Sequence, residues 1–120
     1  MSLREQILLH RLGRALQFSD THAVQDVVAL VKEGRMQVWE RDGAVMVTEL
    51  VDTPLRRALH YFAVAGQLDA VRILQDEVDT WGRQQGASRA EAIGRLGWER
   101  VPQPEGWERR GGWWTKELHT

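Results

Sequence analysis

The sequence of 120 residues contains no cysteine. This absence excludes disulfide bonds, zinc sites built from cysteine and catalytic thiols, and it is typical of proteins that fold in a reducing compartment. Lysine is nearly absent too, since Lys32 and Lys116 are the only two and all other basic side chains are arginines. Uninterrupted apolar runs are only a few residues long, and the N-terminus lacks the apolar centre of a signal peptide. We therefore expect a protein without a membrane segment that is not secreted.

Charge and size limit the function further. With 16 basic and 17 acidic residues the formal net charge is −1, so we do not expect nucleic acid as a partner. A chain of this length is expected to form one domain, spanning 1–120, with its own hydrophobic core. Six tryptophans are many for this size. We predict Trp107, Trp113 and Trp114 as anchors of a protein interface, and core packing is the alternative for each ring.

Hydrophobic spacing divides the chain into predicted helices and strands. Apolar residues three or four positions apart indicate amphipathic helices, and β-rich runs on either side of a turn indicate hairpins. Asp42-Gly43 lies between two such runs and is a strong hairpin signal. The predicted order begins with an N-terminal helix within 1–18. In a core that spans 20–120 follow a second helix that begins at a cap of Ser19 or Asp20 and ends at Gly34, an antiparallel meander over 36–64, a long helix over 67–85 and a closing hairpin around Gly111-Gly112.

The second half of the chain leaves one element open. Residues 87–93 are compatible with a helix by propensity and with a buried strand by their position after Gly86. On the long helix, the acids are predicted to form the solvent-facing side. The fold class is therefore α+β, a mainly antiparallel sheet with helices packed on it. The predicted solvent-facing acids are Asp69, Asp76, Glu77 and Asp79.

A Gly-x-x-Gly motif lies in AIGRLGWERV, residues 92–101. Such a turn resembles the loop with which KH domains clamp RNA. Pro102 and Pro104 shorten any helix that could follow, which argues against an RNA-binding role. The alternative, which we favour, is a structural corner that lets a short helix pack after a strand. The residues of this structural motif are Gly94, Arg95, Gly97, Trp98 and Arg100.

Few residues are candidates for chemistry. The histidines at 10, 22, 60 and 119 are far apart, without the spacing of a metal site, so no metal is expected. Glu49, near the end of a predicted strand, and His60, on the next strand, are candidate general bases because both could face a cleft. The alternatives are a solvated acid for Glu49 and a core or surface histidine for His60.

With these elements in order, the chain from about residue 20 to 120 resembles the GNAT acyltransferase family. Meander, long helix, strand, short helix and closing hairpin follow in the family's sequence. The similarity is greatest to small GNAT-like proteins of tailed bacteriophages, in which a Gly-Arg-x-Gly-Trp-x-Arg segment and a final strand with a lysine follow the long helix. Here these features are GRLGWER, beginning at Gly94, and GGWWTKEL with Lys116.

The resemblance implies that a loop before the long helix would hold the pyrophosphate of acetyl-CoA, at Gly66 and Gln67. This sequence departs from the family's loop at Ala63 and Leu68, and the short helix has no tyrosine. The resemblance with these departures implies a non-catalytic virion-associated protein, in the virion or host cytoplasm, with no cofactor and with other virion proteins or a second copy as partner. The alternative is a CoA-dependent N-acetyltransferase with Glu49 or His60 as base.

Overall fold

The computed structural model of the protein describes residues 24–93, 106–110 and 113–118. The predicted N-terminal helix within 1–18 and the predicted corner of Gly94, Arg95, Gly97, Trp98 and Arg100 lie outside these residues. The elements of the described residues are α1 (Val24–Lys32), β1 (Gln37–Arg41), β2 (Ala44–Asp52), β3 (Arg57–Gly66), α2 (Leu68–Gln84), β4 (Arg89–Ile93), β5 (Glu108–Arg110) and β6 (Trp113–Glu117).

The strands form one sheet in the order β1-β2-β3-β4-β6-β5. Only β3 and β4 pair in parallel among these strands, since α2 crosses over between them, and the remaining neighbours are antiparallel. The predicted α+β class with a mainly antiparallel sheet is thus confirmed. The open choice for residues 87–93 is decided in favour of a strand, because β4 pairs with strands on both sides.

The sheet separates two apolar clusters. On one face, α2 packs through Leu74 and Val78 against inward side chains of β3 and β4 such as Leu59 and Ala90. On the other face, α1 packs through Val27 against the strands of the meander. All of these side chains have almost no exposed surface, and their burial is the main source of stability. The second cluster is centred on Val27, Met36, Val47 and Ala63.

The prediction that Asp79 faces solvent is wrong. Its side chain lies on the sheet-facing side of α2 with Gln75 and Val78, and the residue is only 1% exposed. A cation and a hydroxyl from the sheet reach it there, which makes burial of the charge tolerable. The other three acids, Asp69, Asp76 and Glu77, are exposed as predicted.

The central strand β3 changes partners along its length. Its pairing with β4 covers only Ala58 to Tyr61, whereas its pairing with β2 continues to Gly66. A register shift occurs in the β2–β3 ladder between Val47 and Thr48, opposite Phe62. The half of β3 that precedes α2 is therefore paired with β2 and not with β4. This arrangement sets the positions of both candidate sites.

Candidate functional site

Strand register brings the two predicted bases together. Glu49 of β2 pairs with His60 of β3, and His60 in turn pairs with Glu91 of β4. Glu91 pairs with Thr115 of β6, so the four side chains form a row across the sheet. Paired residues point to the same side of a sheet, and here that side is opposite α2. The sequence predicted Glu49 and His60 individually but gave no indication of Glu91, whose partners are distant in the chain.

His60 is the centre of this row. Its side chain is 9% exposed, and Nδ1 lies 3.5 Å from Oε1 of Glu91. That separation is too long for a good hydrogen bond, and Nδ1 has no hydrogen-bond partner among the described residues. The imidazole also contacts aromatic rings, with centroid distances of 5.8 Å to Trp113 and 6.5 Å to Phe62. Because Nδ1 is buried and has no such partner, it is available to form a hydrogen bond with a ligand.

A groove of about 250 Å³ opens beside this row. It is lined by Arg89, Glu91, Trp113 and Thr115 from β4 and β6. The side chain of Glu91 is only 20% exposed, so its carboxylate is held in a partly desolvated position at the wall. A carboxylate, a guanidinium, an indole ring and a hydroxyl in one concave site can bind a small polar ligand.

The charges around the groove are not balanced. Arg56 lies 3.0 Å and Arg89 3.7 Å from the same carboxylate oxygen, Oε1 of Glu117, so two cations share that acid. In contrast, among the residues that the structure describes, neither Glu49 nor Glu91 has an arginine or lysine within ion-pair distance. The negative charges of Glu49 and Glu91 therefore lie beside His60, while the guanidinium of Arg89 lines the same groove and lies near Glu117. A cation is a ligand that would neutralise the carboxylate of Glu91.

The structure separates the three predicted interface tryptophans. Trp107 and Trp114 are each only 6% exposed and belong to the core cluster beneath α2. This corrects their assignment as surface anchors, because a ring that packs in the core cannot also present its face to a partner. Trp113 is 44% exposed and lies at the groove. The interface prediction therefore remains for Trp113 alone.

The predicted pyrophosphate position is at the junction of β3 and α2. Because β3 ends at Gly66 and α2 begins at Leu68, a single residue, Gln67, joins them. Its backbone N–H donates a 2.9 Å hydrogen bond to the carbonyl oxygen of Gly43, in the turn between β1 and β2. Ala63, where the family's loop would begin, is a buried residue inside the strand. No loop is left to surround an anion.

Residues at this junction do not fit a diphosphate. Binding at a helix N-terminus requires unengaged backbone amides and no competing negative charge. Here the amide of Gln67, the residue before the helix, is already bonded, and Asp69 places a carboxylate beside the remaining amides of the first turn of α2. The geometry therefore gives no support to a CoA site at Gly66 and Gln67.

A buried polar network lies on the face of the sheet that packs against α2, and the sequence did not predict it. The Tyr61 hydroxyl donates a 2.6 Å hydrogen bond to Oδ1 of Asp79, and Nζ of Lys116 lies 2.7 Å from Oδ2. Trp107 packs edge-on to Tyr61 and lies beneath Lys116. Burial raises the pKa of the Tyr61 hydroxyl, and the negative charge of Asp79 raises it further. Because Tyr61, Asp79 and Lys116 each have a hydrogen-bond partner, the network is suited to joining α2 to β3 and β6.

Two other kinds of site find no support in the described residues. Across 24–93, 106–110 and 113–118, no three histidine or acidic side chains come together in a way that could hold a metal ion. Over the same ranges, no helix has the length and hydrophobicity needed to cross a bilayer.

Comparison with known proteins identifies the fold. No protein-family model and no curated protein matches the sequence. Tetrahymena GCN5 is similar in structure, with a TM-score of 0.55 and 12% identity over 98% of this chain and 91% of that one. A GNAT-family acetyltransferase from Listeria monocytogenes is similar to the same degree, with a TM-score of 0.55 and 10% identity over 98% of this chain and 92% of that one. At such identity the likeness shows the fold alone, and that fold is the GNAT fold.

Proposed function

We propose that this GNAT-fold protein binds a primary ammonium group in the groove beside His60, either a free amine or a lysine side chain. The observation that supports this proposal is the carboxylate of Glu91, which lies in the groove with His60 Nδ1 at 3.5 Å and with Arg89 and Thr115 in the same wall. A partly desolvated carboxylate with no described arginine or lysine within ion-pair distance attracts a cation, and an ammonium group supplies both the charge and the hydrogen-bond donors.

Trp113 gives the groove selectivity for an organic cation over a simple ion. Its ring is half exposed and lies at the groove with Glu91. A cation above an indole ring gains about 0.5–2 kcal/mol, and the alkyl part of the ligand gains apolar contact with the same ring. Thr115 adds a hydroxyl to the wall. An alkylammonium ion therefore fits the groove better than a hydrated inorganic cation.

His60 would exchange a proton with the bound ligand. An imidazole is the side chain best suited to proton transfer near neutral pH. Glu49 and Glu91 flank it on the neighbouring strands. His60 is therefore placed to accept the proton that a bound amine releases when its nitrogen forms a new bond. In this proposal His60 and Glu49 keep their predicted role as general bases, which accept a proton from the amine.

The test is a titration with n-butylamine at neutral pH, followed by NMR of the tryptophan indole N–H signals. We expect saturable shifts of the Trp113 signal, with the same shifts from a lysine-containing peptide if protein lysines are the ligand. Glu91→Gln keeps the shape of the side chain and removes its charge. We expect it to weaken binding at least about tenfold, since hydrogen bonds to charged groups contribute 1.5–3 kcal/mol.

Asp76→Asn is the matched control, because it removes one exposed acid from α2 on the opposite face of the sheet. Its affinity for butylamine should equal that of the unaltered protein. Butanol, which has the same chain without the charge, should not saturate the site. Equal affinity of Glu91→Gln and Asp76→Asn for butylamine would contradict the proposal.

A second candidate function is CoA-dependent N-acetylation, which the His60 row favours. It rests on the acetyltransferases with a similar fold, and the junction at Gln67 argues against it. Release of CoA thiol from acetyl-CoA in the presence of amine would decide it, and the absence of cysteine removes any background from the protein. A bacteriophage origin and a role in the virion stay predictions of the sequence resemblance.

A further inference from the structure

We infer that the turn between β1 and β2 closes the N-terminus of α2 to diphosphates, so that this GNAT fold cannot hold CoA there. The inference is independent of the ammonium site, which lies on β3, β4 and β6. It concerns the turn residues Asp42 and Gly43, the junction residues Gly66 and Gln67, and the first turn of α2.

The closure follows from the length of the β2–β3 ladder. The two strands pair all the way from Asp52↔Arg57 to Ala44↔Gly66, so the start of β2 lies beside the end of β3. Gly43, which precedes β2, therefore contacts the residues at the start of α2. Its carbonyl oxygen accepts the hydrogen bond from Gln67, and a Cβ at Gly43 would lie 3.2 Å from Cβ of Ala70.

The backbone at Gly66 packs closely against the turn between β1 and β2. Its φ is +134°, and a Cβ there would lie 2.0 Å from the carbonyl oxygen of Gly43 and 2.7 Å from Cα of Ala44. Only glycine permits such an approach of two backbones. In a phosphate-binding turn, the absence of a side chain leaves room for a ligand. At Gly66 the same room is filled by the protein's own backbone.

The charges around the junction also oppose the binding of an anion. The carbonyl of Gly43 presents partial negative charge to the Gln67 amide, where an anion would otherwise be attracted by the helix dipole. Asp69 places a full negative charge in the first turn, and Asp42 adds an exposed carboxylate in the turn itself. A diphosphate at this junction would meet a carbonyl and two acids, and to reach the Gln67 amide it would have to displace a backbone hydrogen bond.

The experiment is a titration of the intact chain with CoA and with inorganic pyrophosphate, followed by backbone amide NMR. We expect the amide signals of Gln67 to Ala70 to stay unshifted at millimolar concentrations of either compound. Shifts confined to other residues would show a CoA contact elsewhere and would leave the closure standing. Saturable shifts of the Gln67–Ala70 amides in the unaltered chain would overturn it.

Asp69→Lys tests whether the backbone or the charge closes the junction. Asp76→Lys is its matched control, since both replace an exposed acid of α2 and only Asp69 is in the first turn. We expect neither variant to bind pyrophosphate at the junction, because the Gly43 carbonyl remains. Binding gained by Asp69→Lys alone would overturn closure by the turn. Butylamine binding is measured in the same samples, so failure of the ammonium site and failure of the closure are distinguished.

Discussion

Tyr61 and Asp79 are joined by a hydrogen bond of 2.6 Å inside the protein, with the phenol hydroxyl as donor and the carboxylate as acceptor. Burial of the ring, the charge of Asp79 and this bond together raise the pKa of Tyr61 well above its ordinary value near 10. Ionisation of Tyr61 would place two negative charges side by side in the core. The close contact between the two side chains is therefore stable only while the Tyr61 hydroxyl stays protonated.

We predict that Tyr61 does not ionise near pH 10 while the protein is folded. Since the pKa is raised in the folded state, its contribution to stability is complete below the unfolded pKa, near 10, and is lost as pH rises above that value. Tyr61 is the only tyrosine, so the ultraviolet absorbance of tyrosinate reports it alone. Absorbance should rise only together with loss of the circular dichroism of the fold. A rise near pH 10 in the folded protein would contradict the prediction.

Removal of the Asp79 carboxylate should strongly destabilise the protein. In Asp79→Ala, the ammonium group of Lys116 loses its partner at 2.7 Å while its side chain stays 19% exposed. Breaking one side of a buried ion pair costs about 3–5 kcal/mol of unfolding free energy, because the other charge remains desolvated. Urea denaturation followed by tryptophan fluorescence measures this loss.

The control for Asp79→Ala is Asp76→Ala, one turn earlier on α2. Asp76 is exposed, so we expect a change within about 0.5 kcal/mol. Both variants remove one carboxylate from the same helix and have the same effect on net charge and helix propensity. A similar loss for the two would show that the network with Tyr61 and Lys116 does not stabilise the fold.

Much of the fold could be predicted from local sequence signals. Asp42-Gly43 indicated the hairpin, and apolar residues three or four positions apart indicated the long helix over 67–85 that is α2. Residues 87–93 could not be assigned, because their propensity favours a helix while their position after Gly86 also permits a strand. Its identity as β4 depends on hydrogen bonds to β3 and β6, whose residues are distant in the chain.

The candidate site was less accessible to prediction. Glu49 and His60 lie on consecutive strands of one meander, so their proximity follows from local pairing. Glu91 and Trp113 join them only through the parallel crossover and the pairing of β4 with β6. Asp79 was misassigned because an acid on a helix is expected to face solvent. The sequence does not show the hydroxyl and the cation that contact Asp79 on the buried side of α2. Such contacts between distant segments are set by tertiary packing.

A third prediction concerns the surface pair Asp52 and Arg57 at the ends of β2 and β3. Nε of Arg57 donates a 2.6 Å hydrogen bond to Oδ1 of Asp52, and this bond holds the pKa of the carboxyl below its usual value. The pair's contribution to stability is therefore present above the unfolded pKa of Asp52 and lost as pH falls through the folded one.

Carboxyl NMR titration measures the pKa of Asp52 directly. We expect Arg57→Gln to return the pKa toward its ordinary value, and high salt to reduce the shift only in part because the hydrogen bond is short. Arg35→Gln is the control, since Arg35 is an exposed arginine paired with Glu33 and away from this turn. An Asp52 pKa that is the same in Arg57→Gln and in Arg35→Gln would contradict the assignment.

The last prediction is that two glycines with left-handed backbone differ greatly in their tolerance of alanine. Gly86 has φ +87° and nothing within 4 Å of an added Cβ, so Gly86→Ala carries only conformational strain, about 1–2 kcal/mol. Gly66 has φ +134° and would also place its Cβ 2.0 Å from the Gly43 carbonyl oxygen. Gly66→Ala must therefore separate the turn from β3, and we expect a loss of about 4 kcal/mol or more. Gly43→Ala, with an added Cβ at 3.2 Å from Ala70, should fall between them. Urea denaturation gives the order, and equal losses for Gly66→Ala and Gly86→Ala would show that the turn is not seated on the start of α2.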